Sequence, residues 1–207
     1  MSRVEEICKR LKASIKEPKT ELKYVSDYAF LIAVVLSAQT TDVQVNKVTS
    51  ELFEKYKTID DILNLGLEGL KQRIRSIGFY NNKARHIIAL SEILKSKFNS
   101  KVPRSREELE SLPGVGRKTA NVVMNALFDR PTIAVDTHAL RLSKRLGFSK
   151  SGDPLKVEAD LERIIPEEYK KSVSNLLVLH GRYVCKARKP NCAGCVLADL
   201  CDSKSPN

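Results

Sequence analysis

The segment Tyr28–Ala38 constrains the fold most strongly, because it is an almost unbroken run of apolar residues. A helix on a protein surface keeps one polar face, so a run that is apolar all round predicts a helix at the centre of a bundle. The run reaches only about half of the roughly 20 residues that a membrane-spanning helix needs, which excludes a membrane span. Other helices must therefore cover it.

The rest of the sequence favours helices over strands. Apolar residues recur at three- and four-residue intervals, as at Val4, Ile7 and Leu11, and no segment alternates apolar and polar residues as a strand would. Thr58–Asp61 and Ser105–Glu108 have the pattern of capping boxes, and Gly78 is well placed to end a helix. About ten helices and no strand predict an all-α protein.

The composition favours a globular protein that binds nucleic acid. The 207 residues include 36 Lys plus Arg against 25 Asp plus Glu, which gives a formal net charge of +11. With 42% hydrophobic residues the chain can bury a core, so a disordered or low-complexity chain is excluded. A strongly basic protein of this kind is expected to bind a polyanion such as nucleic acid.

The cysteines predict a metal site. The N-terminus mixes acidic and basic residues and has no secretory pattern, so we expect a protein inside the cell, where disulfides are less expected than metal binding. Cys8 stands alone, whereas four cysteines follow the pattern C-x6-C-x2-C-x5-C: Cys185, Cys192, Cys195 and Cys201. Four thiolates can hold a [4Fe-4S] cluster or a tetrahedral zinc ion, and unliganded core cysteines are the third alternative.

A glycine-rich turn predicts contact with phosphate. The segment Leu112–Lys118 has the sequence Leu-Pro-Gly-Val-Gly-Arg-Lys and lies between two predicted helices. Gly114 and Gly116 permit positive φ and carry no Cβ, so backbone N–H groups from Gly114 through Val115 to Gly116 can face an anion at a helix start. Such contacts read no base, which predicts sequence-independent binding of nucleic acid. An ordinary glycine-capped corner is the alternative.

Two polar residues near this turn are candidates for chemistry. Lys118 follows Arg117 in the first turn of the second helix, where the positive helix end and the guanidinium disfavour an ammonium group and so favour a nucleophilic amine. A solvated lysine is the alternative. Asp136 precedes another apolar helix, so we expect it at least to cap that helix.

These features together resemble the endonuclease III family of the helix-hairpin-helix DNA glycosylase superfamily, over essentially the whole chain. The matching segments are Leu112–Ala120, Val135–His138 and the terminal cysteines, with Leu36–Asp42, Gly78–Ala84 and His180–Tyr183 in the same order. The resemblance implies a two-lobed fold. Residues 20–130 would form a six-helix barrel with the helix-hairpin-helix at about 106–128, and residues 1–19 and 131–207 a discontinuous iron-sulfur cluster domain.

The resemblance also implies an activity, which is the excision of oxidised pyrimidines from duplex DNA followed by strand cleavage at the abasic site. Lys118 would attack C1′ of the damaged nucleoside and form a Schiff base, Asp136 would assist that step, and β-elimination would cut the strand. The four late cysteines match the family's cluster motif, so we expect one [4Fe-4S] cluster per chain.

Further residues are implied to contact DNA. Gln39 would fill the space that the extruded nucleotide leaves, and Phe79, where the family commonly has leucine, would wedge into the opposite strand. Arg188 and Lys189, inside the first cysteine loop, are expected to contact the DNA backbone. We expect a monomer in the cytoplasm of a bacterium or archaeon, acting on duplex DNA with damaged pyrimidines or abasic sites.

Three alternatives remain open. Adenine glycosylases of this fold usually carry serine at the position of Lys118 and glutamate at that of Val34, and thymine mismatch glycosylases also tend to lack the lysine. A DNA-binding module without catalysis would keep the hairpin and the cluster but would have Lys118 and Asp136 together by chance. The sequence assigns no role to His138 or His180.

Overall fold

The computed structural model describes residues 2–203, and every regular element in that part of the chain is an α-helix. The helices are α1 (Arg3–Ser14), α2 (Asp27–Ser37), α3 (Asp42–Lys55), α4 (Ile59–Ile74), α5 (Tyr80–Lys97), α6 (Arg106–Glu110), α7 (Arg117–Phe128), α8 (Thr137–Arg145), α9 (Pro154–Ile164) and α10 (Glu167–Tyr183). The all-α prediction is confirmed. Between residues 2 and 203, none of these helices combines the length and apolar composition of a membrane span.

The chain forms two compact units. One is Glu21–Phe128, which contains α2 to α7. The other combines Met1–Thr20 with Asp129–Asn207 and contains α1 and α8 to α10. The functional division into a barrel domain and a cluster domain stays a prediction.

Helix α2 lies at the centre of the unit Glu21–Phe128. Ser26 begins the helix by accepting a hydrogen bond from the Ala29 N–H at 3.1 Å. Every side chain from Tyr28 to Leu36 is buried, and α2 packs against α3, α5 and α7. Full burial of a large apolar side chain contributes about 1.5–3 kcal/mol, so this helix is a principal source of the unit's stability.

Two expectations about helix ends need correction. Thr58 and Asp61 form the predicted capping box, but α4 continues to Ile74 across a kink at Gly66 and ends four residues before Gly78. At α6 only half of the predicted box forms. The Ser105 hydroxyl accepts a hydrogen bond from the Glu108 N–H at 3.2 Å, as in a capping box. The Glu108 carboxylate, however, accepts a hydrogen bond from the Ser105 hydroxyl at 2.8 Å and not from the Ser105 backbone N–H.

In the second unit, α1 is bonded to the segment that carries the late cysteines. Arg3 of α1 donates to the Leu200 carbonyl at 2.6 Å, and Arg10 donates to Asp199 at 2.7 Å. Cys8 lies fully buried in this core, and burial raises the pKa of its thiol to about 12. Helix α1 therefore holds the C-terminal segment that carries the late cysteines.

Candidate active site and metal centre

The glycine turn between α6 and α7 lies close against His86 on its inner side. Gly114 has φ +80°, and a Cβ there would lie 2.9 Å from the Cβ and Nδ1 of His86. Val115 is buried, and its N–H donates to the Leu112 carbonyl at 3.0 Å. A Cβ on Gly116 would meet nothing within 4 Å, so the outer side of the turn is open to a ligand.

Lys118 lies in the first turn of α7, as the sequence predicted. The helix begins with a hydrogen bond from the Ala120 N–H to the Gly116 carbonyl at 2.9 Å, and the Lys118 side chain is exposed. Arg117 before it is also exposed. The amine is therefore accessible to a large substrate at the start of a helix whose dipole is positive at that end.

Asp136 is the N-cap of α8, as expected. Its Oδ1 accepts the backbone N–H groups of His138 and Ala139, each at 2.8 Å, and its Oδ2 lies 3.1 Å from Nδ1 of His138. The side chain keeps 18% of its exposure. These contacts fix the orientation of a partly accessible carboxylate. Asp136 belongs to the second unit, whereas Lys118 belongs to Glu21–Phe128.

Gln39 and Phe79 lie on neighbouring loops of the same unit. Both have left-handed backbone, with φ +55° and +58°, which is uncommon for residues other than glycine and typical of functional loops. A Cβ on Gly78 would lie 3.6 Å from the Gln39 carbonyl oxygen. Phe79 is 65% exposed, which excludes a role in core packing, and Gln39 is exposed as well.

The four late cysteines line one cavity of about 260 Å³. This volume exceeds the roughly 150 Å³ of a cavity that accommodates benzene, so it has room for a group of several atoms. Burial raises the pKa of the Cys195 thiol, and the nearby thiols of Cys185, Cys201 and Cys192 raise it further. Four thiolates around one cavity repel one another unless positive charge lies between them, and the irons of a [4Fe-4S] cluster supply it. The residues present therefore fit the cluster.

Side chains of α8 and α10 contact the residues that line this cavity. Arg145 lies 3.2 Å from the Sγ of Cys185 and donates to the Lys186 carbonyl at 2.8 Å. Arg141, one turn earlier on α8, donates to the Cys185 carbonyl at 3.1 Å. His180 is buried, with Nε2 3.5 Å from the Sγ of Cys195. The two arginines hold the first cysteine loop, Arg145 offers a donor to Cys185, and His180 offers one to Cys195 in the tautomer that is protonated at Nε2.

Arg188 and Lys189 are exposed on that loop. The loop is closed at its base by a hydrogen bond from the Asn191 N–H to the Val184 carbonyl at 3.0 Å. Lys189 itself has φ +51°. The two cations are therefore presented to solvent by a short, anchored loop.

Sequence reasoning missed the contribution of α8 to both centres. His138 contacts the carboxylate of Asp136, and Arg141 and Arg145 hold the cysteine loop. The available signal was the position of these residues, since all three lie on one short helix that Asp136 caps. A basic residue near a helix C-terminus is common, however, and its partner was not visible in the sequence.

Family models match most of the chain. Residues 32–167 match the HhH-GPD superfamily base excision DNA repair protein, and residues 185–201 match the iron-sulfur binding domain of endonuclease III. The second match begins at Cys185 and ends at Cys201.

Curated relatives and solved structures extend the similarity to nearly the full length. The chain is 53% identical to endonuclease III of Rickettsia felis over 89% of this chain and 87% of that protein, and 51% identical to the Haemophilus influenzae enzyme over 96% and 94%. A structure of a trapped endonuclease III–DNA covalent intermediate superposes with a TM-score of 0.92 at 47% identity, covering 99% of this chain and 97% of the other. The chain therefore belongs to the endonuclease III family of the HhH-GPD superfamily of base excision DNA repair proteins.

Proposed function

We propose that Lys118 and Asp136 are the catalytic residues of this endonuclease III family member. The chain is a bifunctional base excision repair enzyme, a DNA glycosylase for oxidised pyrimidines in duplex DNA and an AP lyase. One observation supports the assignment most directly, which is the exposed amine of Lys118 in the first turn of α7, immediately after the open side of the glycine turn.

The chemistry requires a nucleophilic amine. As Lys118 Nζ bonds to C1′ of the damaged nucleoside, the N-glycosidic bond breaks and its electron pair leaves with the base, which takes up a proton. Opening of the sugar gives a Schiff base between Nζ and C1′. Loss of a proton from C2′ then expels the 3′ phosphate by β-elimination, and hydrolysis of the imine returns the free amine.

Asp136 supports the first of these steps. A carboxylate near the sugar stabilises the positive charge that develops there, or helps to deprotonate the attacking amine. The backbone N–H groups at the start of α8 hold Oδ1, so the carboxylate needs little reorganisation when charge develops.

The DNA contacts follow from the exposed groups. The turn holds a phosphate through its two glycines, Gly114 and Gly116, since the Val115 N–H is already bonded inside the turn, and the open space beside Gly116 lets the DNA backbone approach. Arg188 and Lys189 hold a second stretch of backbone. Gln39 and Phe79 enter the gap that base extrusion leaves. The substrate is duplex DNA that carries a damaged pyrimidine or an abasic site.

The chain carries one [4Fe-4S] cluster, and its iron-sulfur binding domain spans residues 185–201. We propose Cys185, Cys192, Cys195 and Cys201 as its ligands. When bound, the cluster supplies four thiolate–iron links that crosslink the C-terminal segment. No step of the reaction is assigned to it.

We also propose a domain organisation and a setting. Residues 20–130 form the six-helix barrel, and residues 1–19 with 131–207 form the cluster domain, which the division into Glu21–Phe128 and the remainder supports. The protein acts as a monomer in the cytoplasm of a bacterium or archaeon, and its similarity to bacterial enzymes supports that setting.

Borohydride trapping tests the catalytic assignment. Wild type and Lys118→Ala are incubated with a duplex that contains thymine glycol, and Lys97→Ala, an exposed helical lysine of the same unit, is the matched control. We expect a covalent adduct with wild type and the control and none with Lys118→Ala. If a cluster-loaded, DNA-binding wild type gives no adduct, the protein is a glycosylase without lyase activity or a binding module, and Lys118 loses its role.

A further inference from the structure

Lys83 is a buried lysine that the mechanism does not use. It lies on α5, and only 6% of the residue is exposed. Its Nζ donates to the carbonyls of Leu36 at 2.8 Å and Ala38 at 2.5 Å, and lies 3.3 Å from the Thr40 hydroxyl. These three acceptors use the three N–H donors of the ammonium group. Lysine is almost never buried without such compensation.

The partners of Lys83 all belong to the segment that carries Gln39. Leu36 and Ala38 lie at the C-terminal end of α2, where unpaired carbonyls and the helix dipole attract a cation. Ala38 and Thr40 flank Gln39, whose φ of +55° is strained for a residue with a side chain. The ammonium group therefore holds the backbone before Gln39 and the side chain of the residue after it.

The same lysine is joined to the loop that carries Phe79. Its backbone N–H donates to the Phe79 carbonyl at 3.1 Å, in the first turn of α5. A further bond reaches the Phe79 loop from the start of α3, because the Gln44 side chain donates to the Ser76 hydroxyl at 2.7 Å. Lys83 is thus one residue that contacts both loops, through its side chain on one and its backbone on the other.

We propose that Lys83 is a positioning residue that fixes the Gln39 and Phe79 loops relative to each other, so that both side chains enter the DNA gap in a single arrangement. This inference rests on the gap-filling roles proposed for Gln39 and Phe79. Without the ammonium group, the carbonyls of Leu36 and Ala38 lose this partner and the left-handed backbone at Gln39 loses its support. Extrusion of the damaged nucleotide then becomes slower, while the chemistry at Lys118 is untouched.

Comparison of two substrates tests this proposal. Single-turnover excision of thymine glycol from a duplex requires the gap to be filled, whereas β-elimination at an abasic site in single-stranded DNA does not. For Lys83→Met we expect a loss of about 10- to 100-fold on the duplex, in the range for misplaced groups, and a change of less than about 2-fold on the single strand. The fluorescence of a 2-aminopurine next to the lesion, which rises when the base unstacks, should rise correspondingly less.

Ser91→Ala is the matched control for general destabilisation. Ser91 is buried on the same helix and bonds the Tyr28 hydroxyl at 2.6 Å, away from both loops. We expect it to affect the two substrates equally. If Lys83→Met also loses activity equally on both, or keeps full duplex activity, the proposal is overturned. Should Lys83→Met fail to fold, Thr40→Val removes only one of its acceptors and should show the same duplex-selective loss at about 3-fold, of the size expected for one hydrogen bond.

A double-mutant cycle separates this proposal from the proposed function. Once Gln39 is truncated, the position of its loop matters less for filling the gap. The loss of duplex activity in Lys83→Met/Gln39→Ala should therefore be much smaller than the sum of the two single losses. Additive losses would overturn the positioning role and leave the gap-filling role of Gln39 in place. If Gln39→Ala shows no duplex-selective loss, the gap-filling role itself fails and the Lys83 proposal fails with it.

Discussion

Substitution of Gly114 by alanine should destabilise the unit Glu21–Phe128 by about 2–5 kcal/mol. A residue with a Cβ at φ +80° costs about 1–2 kcal/mol of backbone strain. The new methyl would lie 2.9 Å from His86, and overpacking of that kind costs about 1–3 kcal/mol. The two costs arise from different atoms, so they add when neither is relieved.

Gly116→Ala is the matched control, because it lies two residues away in the same turn. A Cβ there meets nothing within 4 Å and the backbone is not left-handed, so its stability should change by less than about 1 kcal/mol. The two glycines should separate in function as well. Gly116→Ala places a methyl on the open side of the turn, so it should weaken DNA binding while the protein stays folded.

Urea unfolding followed by circular dichroism measures the free energies of unfolding. A third variant separates the contribution of backbone strain from that of the His86 contact. His86→Ala in the Gly114→Ala background removes the contacts with the imidazole ring but keeps the one with the His86 Cβ, so compared with His86→Ala alone it should recover part of the overpacking cost. Equal stability of Gly114→Ala and Gly116→Ala would refute the reasoning. Failure of His86→Ala to recover any stability would refute the part that depends on the contact.

Three further outcomes are expected. Arg145→Met removes the donor beside the cysteine cavity, so purified protein should contain less iron and sulfide per chain than wild type, while an unchanged content would exclude this role. Arg188→Ala with Lys189→Ala should reduce the slope of log affinity against log salt by about 1.8 if each contacts one phosphate, and an unchanged slope would remove both contacts. Asp160 has its pKa lowered below 3.8, first by the hydrogen bond from Ser149. Its contribution to stability is present above pH 3.8 and is lost as the pH falls through the lowered pKa, so Asp160→Asn should flatten the acid limb of stability in urea titrations.

Local chemistry explains what the sequence could predict. The buried helix α2 follows from its apolar composition alone, and Asp136 was expected to cap α8 because a cap bonds only to its own first turn. The exposed Lys118 at a helix start follows from the glycine turn in the same way. Each of these features depends on residues that are close in the sequence.

Features that depend on distant residues could not be predicted. Lys83 gave no sign of burial, because its acceptors lie more than forty residues earlier and meet it only when α5 packs beside α2. Val115 was expected to offer its N–H to an anion, whereas that N–H bonds to the Leu112 carbonyl inside the turn. Gly78 was expected to end a helix, but the left-handed glycine of that region is Gly66.

Helix α8 connects Asp136 to the cysteine loop, which matters for protein that lacks its cluster. Its first residues orient Asp136, and its last residue, Arg145, holds the loop of Arg188 and Lys189. Nine residues at about 1.5 Å each keep those two ends roughly 13 Å apart. We expect loss of the cluster to loosen the cysteine loop at the far end and to leave the bonds at Asp136 in place, since those bonds are local to the first turn. We therefore expect protein without the cluster to release DNA more readily, while the N-cap bonds that orient Asp136 are kept.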